Sequence, residues 1–224
     1  MSVISIDGAK YLERLVILPQ EVNVSTGLQV LQSQRLVLPG IASFMLKGLT
    51  RDTIVQGVNS VSVTNPCSGY TSAPTVTFSA SNVANGVTAL GYAVIDAAGN
   101  VIGVVVTNPG NYTVAPTITF TGGAGANAAA TANIGGISIR RPFKFRLGNS
   151  DGALWYFQGG VGGTTDRVLD SNCFGTAQFP YPIYPFIPYG ANATINYEFE
   201  DVANQGPYTA YLAFHGSYLI PLPS

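Results

Sequence analysis

The chain has 224 residues, enough for one large β domain or two smaller ones burying about 70% of the surface that the unfolded chain exposes. Its apolar share of 46% is ordinary, but only 9% of its residues are charged, against roughly 25% in a typical soluble domain. A formal net charge of −1, with Lys10, Lys47 and Lys144 the only lysines, excludes the basic footprint of a nucleic-acid binder and leaves little repulsion to hold copies apart, so self-association is the expectation.

Polarity comes instead from 26 glycines, 14 prolines and many Thr, Ser and Asn, which with Val, Ile, Tyr and Phe describe strands separated by turns. The start, MSVISIDGAKYLERLVILPQ, lacks the basic opening and continuous apolar run of a signal peptide. No run approaches the ~20 apolar residues of a membrane span, so folding in a cytoplasm is expected. Alternating runs at 11–18 and 28–38 read as strands, punctuated by Pro19 and by Pro39-Gly40. Residues 41–49 are the one helix candidate, and the same run also suits a strand.

Between Gly57 and Ile139 the only charged residue is Asp96, which marks the middle of the chain as a separate unit. That unit repeats itself: VTNPCSGYTSAPTVTF at 63–78 returns as VTNPGNYTVAPTITF at 106–120, one residue shorter in its turn. Tyr70 corresponds to Tyr112, Pro74 to Pro116 and Phe78 to Phe120. In each copy, apolar residues alternating with Ser and Thr predict strand, turn, strand, with Asn-Pro opening the turn and Ala-Pro forcing extended backbone after it. Residues 89–95 and 101–106 flank Asp96-Ala-Ala-Gly-Asn100 as a hairpin, and a glycine-rich turn at 122–126 leads into a weak strand at 128–134. The flanking segments add strands at 137–147, 153–158, 193–199 and 208–219. The predicted architecture is all-β: a discontinuous β-sandwich or jelly-roll-like domain over 1–56 plus 137–224, with a smaller β-repeat domain at 57–136 inserted between strands.

Chemistry-bearing residues are few. The one histidine, His215, lies in a strand pattern beside Tyr211 and Ala213 and reads as a packed or hydrogen-bonded strand residue. Glu198, Glu200 and Asp201 are the nearest acids; alternation about Phe199 predicts a solvated face rather than a carboxylate pair or a calcium site. Asp151-Gly152 and Asp170-Ser171-Asn172 read as turns. Cys67 and Cys173 have no ligand-spaced neighbours and read as reduced thiols, and the glycines at 159–163 lack the Lys-Ser/Thr and helix of a phosphate loop and read as a surface loop. No catalytic residue, metal or cofactor is predicted.

The most unusual stretch is FPYPIYPFIPYG at 179–190. Its four prolines remove four backbone donors, which restricts it to an edge strand or an extended segment. Phe179, Ile183, Phe186 and Ile187 close the end of the sandwich, or the stiff aromatic strip, with Tyr181, Tyr184 and Tyr189, docks on a neighbouring subunit or shell.

Two features carry a resemblance. SGYTSAPTVTF and NYTVAPTITF, within about 57–136, resemble the GSGYTSAPTVTF-type β-repeats of phage virion proteins and large bacterial surface proteins. RRPFKF at 140–145, the proline-aromatic strip and YTAYLAFHGSY at 208–218 resemble small virion structural proteins of tailed bacteriophages, whose last strand carries a similar L-x-x-H-G pattern. The resemblance implies a virion-located, non-enzymatic homo-oligomer, a trimer among the options. It would be a capsid cement or decoration protein that meets the major capsid protein and projects its repeat domain outward. A collar, tail or fibre-base subunit is the alternative within that class. A carbohydrate-binding module for host-surface glycans is the alternative outside it, with Trp155, Tyr156 or Tyr70 as its aromatic platform.

Overall fold

The computed structural model describes residues 2–25, 32–148, 155–156, 167–176, 178–202 and 204–223. In chain order its strands are β1 (Ser2–Ile6), β2 (Ala9–Val24), β3 (Gln32–Val37), β4 (Ser43–Asn65), β5 (Thr75–Phe78), β6 (Leu90–Ile95), β7 (Val101–Asn108), β8 (Ile118–Thr121), β9 (Ala129–Ser138), β10 (Phe143–Gly148), β11 (Trp155–Tyr156), β12 (Val168–Leu169), β13 (Tyr181–Tyr189), β14 (Thr194–Asp201) and β15 (Tyr208–Pro221). Among the described residues the only helical element is the 3-10 turn Asp170–Asn172. The fold is all-β, as composition predicts. The helix candidate at 41–49 is strand from Ser43 onward: it opens β4, whose two edges are filled by β15 and β13, so both ladders outweigh its local helix propensity.

Two sheets form a sandwich. One runs β1-β2-β15-β4-β13 and the other β11-β10-β14-β3, with β12 also on β10. Alternation assigns the faces: Phe143, Phe145 and Leu147 of β10 and Ile195, Tyr197 and Phe199 of β14 point inward against Phe44, Leu46 and Leu49 of β4 and Leu212 and Phe214 of β15. Each such side chain removed from water stabilises the fold by about 1.5–3 kcal/mol. The step from Leu46 to Leu49 breaks the period of two, and the register of β4 on β15 shifts there, between His215 and Gly216. Pro19 does not end a strand as expected. It lies within β2, paired with Ala213, at a point where β1 no longer covers the far edge, and an edge strand tolerates proline.

β4 is the spine of the molecule. Ile54 pairs with both Thr209 and Ser138, which puts β9 on the edge opposite β15, and β13 occupies the same edge lower down, along Phe44–Leu49. Val55 packs into the large sandwich core, whereas Val58 packs with Phe78, Ala89, Tyr112 and Ala132 in a second cluster. A third holds Tyr70, Ala93 and Val101.

The repeats are interlocked. Counting β6 with the first copy, which it follows, and β9 with the second, the pairs β4–β9 (far half of β4), β7–β6 and β5–β8 each join one strand from each copy. Val58↔Ile134, Val61↔Ala132 and Ser62↔Thr131 in one ladder match Val101↔Ile95, Val104↔Ala93 and Val105↔Tyr92 in the other, and both ladders have register shifts at the corresponding two places. The turns close alike. Val58 N–H donates to Pro109 O (2.8 Å) and Tyr112 N–H to Gln56 O (2.9 Å), while Val101 N–H donates to Pro66 O (3.0 Å) and Tyr70 N–H to Gly99 O (3.1 Å). Only glycine fits at 57, because a Cβ there would stand 2.6 Å from Gly110 O. The residue missing from the second turn does not displace its tyrosine, since Tyr70 and Tyr112 are both buried.

Candidate functional site

Most of the proline-aromatic strip is β13, which among the described residues is an end strand hydrogen-bonded on one side only, to β4. Its position there fits the prolines at 182, 185 and 188, which have no N–H to give. Side-chain alternation divides the strip. Ile183, Ile187 and Tyr189 enter the sandwich core, and the Tyr189 hydroxyl donates to Gly148 O (3.2 Å), tying β13 to β10. Burial pushes the Tyr189 phenol pKa up. These three are therefore not free to meet a partner, and the candidate surface reduces to Phe179, Tyr181, Tyr184 and Phe186, all exposed, Tyr184 to 90%. Phe179 and Phe186 do not help to close the sandwich. Lys47 Nζ stands 5.4 Å over the Phe186 ring, and Tyr184 meets Phe186 edge to face at 6.2 Å. A groove of about 400 Å³ runs beside them, lined by Tyr156, Ile183, Tyr184, Pro185, Phe186 and Pro188.

Among the described residues His215 and the acids around Glu198 do not converge. His215 is half-buried on β15, with Nε2 2.8 Å from Thr50 Oγ1, and burial lowers its pKa. Because Phe214 and Phe199 point into the core, His215 and Glu198 face opposite sides of the sandwich. Glu198 is not solvated, contrary to the alternation argument. Arg146 reaches its carboxylate with Nε (2.6 Å) and Nη2 (2.7 Å), and Arg167 with Nη2 (2.6 Å) and Nε (3.0 Å). Burial works to raise its pKa, but the hydrogen bonds from Arg146 and Arg167 outweigh it and hold the carboxyl below its ordinary value. Asp201 turns the other way, accepting from Tyr208 Oη (3.0 Å) and Asn204 N–H (2.9 Å).

A further polar cluster lies where the chain leaves the sandwich for the repeats and returns. Asp170, read as a turn residue, does begin a turn but is buried: it pairs with Arg51, accepts from Phe143 N–H (3.4 Å) and lies 3.5 Å from Arg140 Nη2. Arg51 also donates to Arg141 O (3.2 Å) and lies 5.2 Å over the Phe143 ring. Arg141 spans the junction, donating to Gln205 and to Asn111 Oδ1 (3.4 Å). Burial lowers the pKa of both arginines. No spacing in the sequence marks this cluster; its one trace is the Arg140-Arg141 doublet beside an uncharged segment. Its bonds link backbone and side chains across the junction, which is the work of a clamp.

Among the described residues no three or more His, Cys, Asp or Glu are grouped to hold a metal. Both cysteines are free, and burial pushes the Cys173 thiol pKa up. Tyr70 is buried and offers no platform to a sugar, Tyr156 is half-buried, and the Trp155 side chain and the glycine loop at 159–163 lie outside the described residues. No described helix is long and apolar enough to cross a membrane. Compared with known proteins, the chain matches no family model, no curated protein and no solved structure.

Proposed function

We propose that this chain is a non-enzymatic structural subunit of a virus particle, a cement or decoration protein of a tailed phage that docks on the shell through β13. The observation that carries the reading is the division of β13: Ile183, Ile187 and Tyr189 anchor in the core while Tyr184 and Phe186 stand in water on a stiff edge strand, with Tyr181 at its start and Phe179 just before it also exposed. Rigid rings with few torsions to freeze gain contact area at small entropic cost, and a surface this poor in charge is made to be covered. The strand order supports the class. β2-β15-β4-β13 facing β3-β14-β10-β12, with β2, β3, β4, β10, β12, β13, β14 and β15 following one another in the sandwich, fits the order expected of an eight-stranded jelly roll, an architecture used by viral capsid and lectin domains. A collar, tail or fibre-base position would use the same surface.

The test is co-sedimentation with purified shells that lack this protein. The chain binds saturably and raises the temperature at which shells rupture, and the double variant Tyr184→Ser, Phe186→Ser loses at least about tenfold in binding while melting at the same temperature by itself. Saturable binding that the double variant retains, or no binding by the unaltered chain, rejects the proposal. The jelly-roll order and the groove beside Tyr184 also suit a glycan, and that second reading predicts saturable chemical-shift changes around Tyr156 and Tyr184 on adding host polysaccharide.

A further inference from the structure

The interlocked repeats supply an internal control for what the fold itself requires. Matching the two ladders residue by residue places Asn59 with Ile102, Ser62 with Val105, Thr131 with Tyr92 and Ala129 with Leu90. All of these are exposed. The face on β4 and β9 is polar, with Asn133 Nδ2 donating to Ser60 Oγ (3.2 Å) and Ser62 Oγ (3.0 Å). The face on β6 and β7 presents Leu90, Tyr92, Ile102 and Val105, each between 41% and 60% exposed. Two backbones of the same register and the same register shifts thus carry opposite surfaces. Folding does not demand the apolar one, because its counterpart folds with Asn, Ser, Thr and Ala in the same places.

We infer that the outward face of the β6–β7 hairpin is a docking surface for the same face of a second copy of this chain. Charge decides the occupant. The only residue between Gly57 and Ile139 that is charged at neutral pH is Asp96, and its carboxylate is held inside the hairpin turn by Ala98 N–H (2.9 Å), Asn100 N–H (2.8 Å) and Asn100 Nδ2 (2.8 Å). A charged partner would lose hydration here with nothing to compensate it. An uncharged apolar face fits another of its kind, and two-fold pairing, in which one patch serves both copies, is the commonest closed arrangement. Four side chains make up only part of the ~800 Å² per partner that a stable interface buries, so the pair is weak in dilute solution and strengthens where copies are held close together. The inference is independent of shell binding and of β13.

Sedimentation velocity over a rising concentration series tests it. The unaltered chain forms a reversible dimer. The variant Leu90→Ala, Tyr92→Thr, Ile102→Asn, Val105→Ser, which writes the residues of one ladder into the other, associates at least about tenfold more weakly. Its melting temperature stays close to the original, since the first ladder tolerates those residues. Should that variant misfold, Tyr92→Glu alone places like charges across the pair and must also weaken the dimer. Tyr184→Ser with Phe186→Ser leaves the dimer unchanged. A chain that is monomeric at every concentration overturns the inference, as does a folded quadruple variant or Tyr92→Glu variant that pairs as tightly as the original, or loss of pairing in the β13 variant.

Discussion

Glu198 receives four N–H groups from two arginines and reaches water with only 7% of its surface. Removing its charge takes from Arg146 and Arg167 the carboxylate they share in a covered site, while Arg167 keeps Glu200 (3.4 Å), and breaking a covered pair costs about 3 kcal/mol at the low end of its range. Glu198→Gln therefore lowers the unfolding free energy obtained from urea titration at pH 7 by that amount, and the midpoint with it. The pH dependence follows from the sign of the shift. A carboxyl whose folded pKa lies below its unfolded value contributes stability above the unfolded pKa and loses it as pH falls through the folded one. The difference between Glu198→Gln and the original chain is thus full at neutral pH and shrinks below about pH 4. A constant difference from pH 7 to pH 3 in urea titrations would show that the carboxylate contributes nothing through its charge.

At the scale of elements, equivalent residues in the two repeats are held differently. The Tyr112 hydroxyl donates to Ser79 O (2.8 Å) and accepts from Ala89 N–H (2.9 Å), whereas the Tyr70 hydroxyl makes no hydrogen bond with the described residues and its ring covers Gly123 and Gly125. Tyr112→Phe leaves the buried Ala89 N–H without its acceptor and Ser79 O without its donor and costs about 1–3 kcal/mol, while Tyr70→Phe stays within about 0.5 kcal/mol of the original. Equal losses in thermal denaturation would mean that ring packing, not the hydroxyl, fastens both turns. Elements were the most legible level of the sequence. Alternation and repeated Asn-Pro and Ala-Pro steps are local signals, and they located the repeat strands, the hairpin about Asp96 and the one-sided pairing of β13. What they missed depends on distant partners. The choice left open at 41–49 falls to a strand from Ser43 because β13 and β15 flank it, Pro19 sits in β2 because its far edge is open, and Asp170 and Glu198 are buried because arginines from other elements reach them. The strip read as one surface because neighbouring apolar residues look alike in sequence, and only the strand's placement sent Ile183, Ile187 and Tyr189 inward.

For the whole molecule the question is whether the sandwich stands without the repeats. Val55 and Ile137 pack with the large core, while Val58 and Ile134 pack with the second cluster, so the change of core falls across the paired residues Gln56↔Gly136 and Gly57↔Gly135. Replacing residues 57–135 by Asn-Gly leaves Gln56 opposite Gly136 and closes them with a two-residue turn whose twist suits a hairpin. The sandwich then loses the Tyr112 N–H to Gln56 O bond and the contacts of Asn111 with Arg141 and with Pro207 O. It keeps Arg51 with Asp170 and every residue of the large core cluster. Arg141 gains water in exchange for Asn111, which offsets its lost bond, so the net cost is about 1–3 kcal/mol, less than a domain's whole stability. The shortened chain unfolds in one cooperative step in urea, with the near-ultraviolet circular dichroism of packed aromatic rings intact beforehand. A shortened chain that lacks that signal, or melts without cooperativity, would make β4 and β9 the carriers of a single folding unit and the repeats part of what holds the sandwich together.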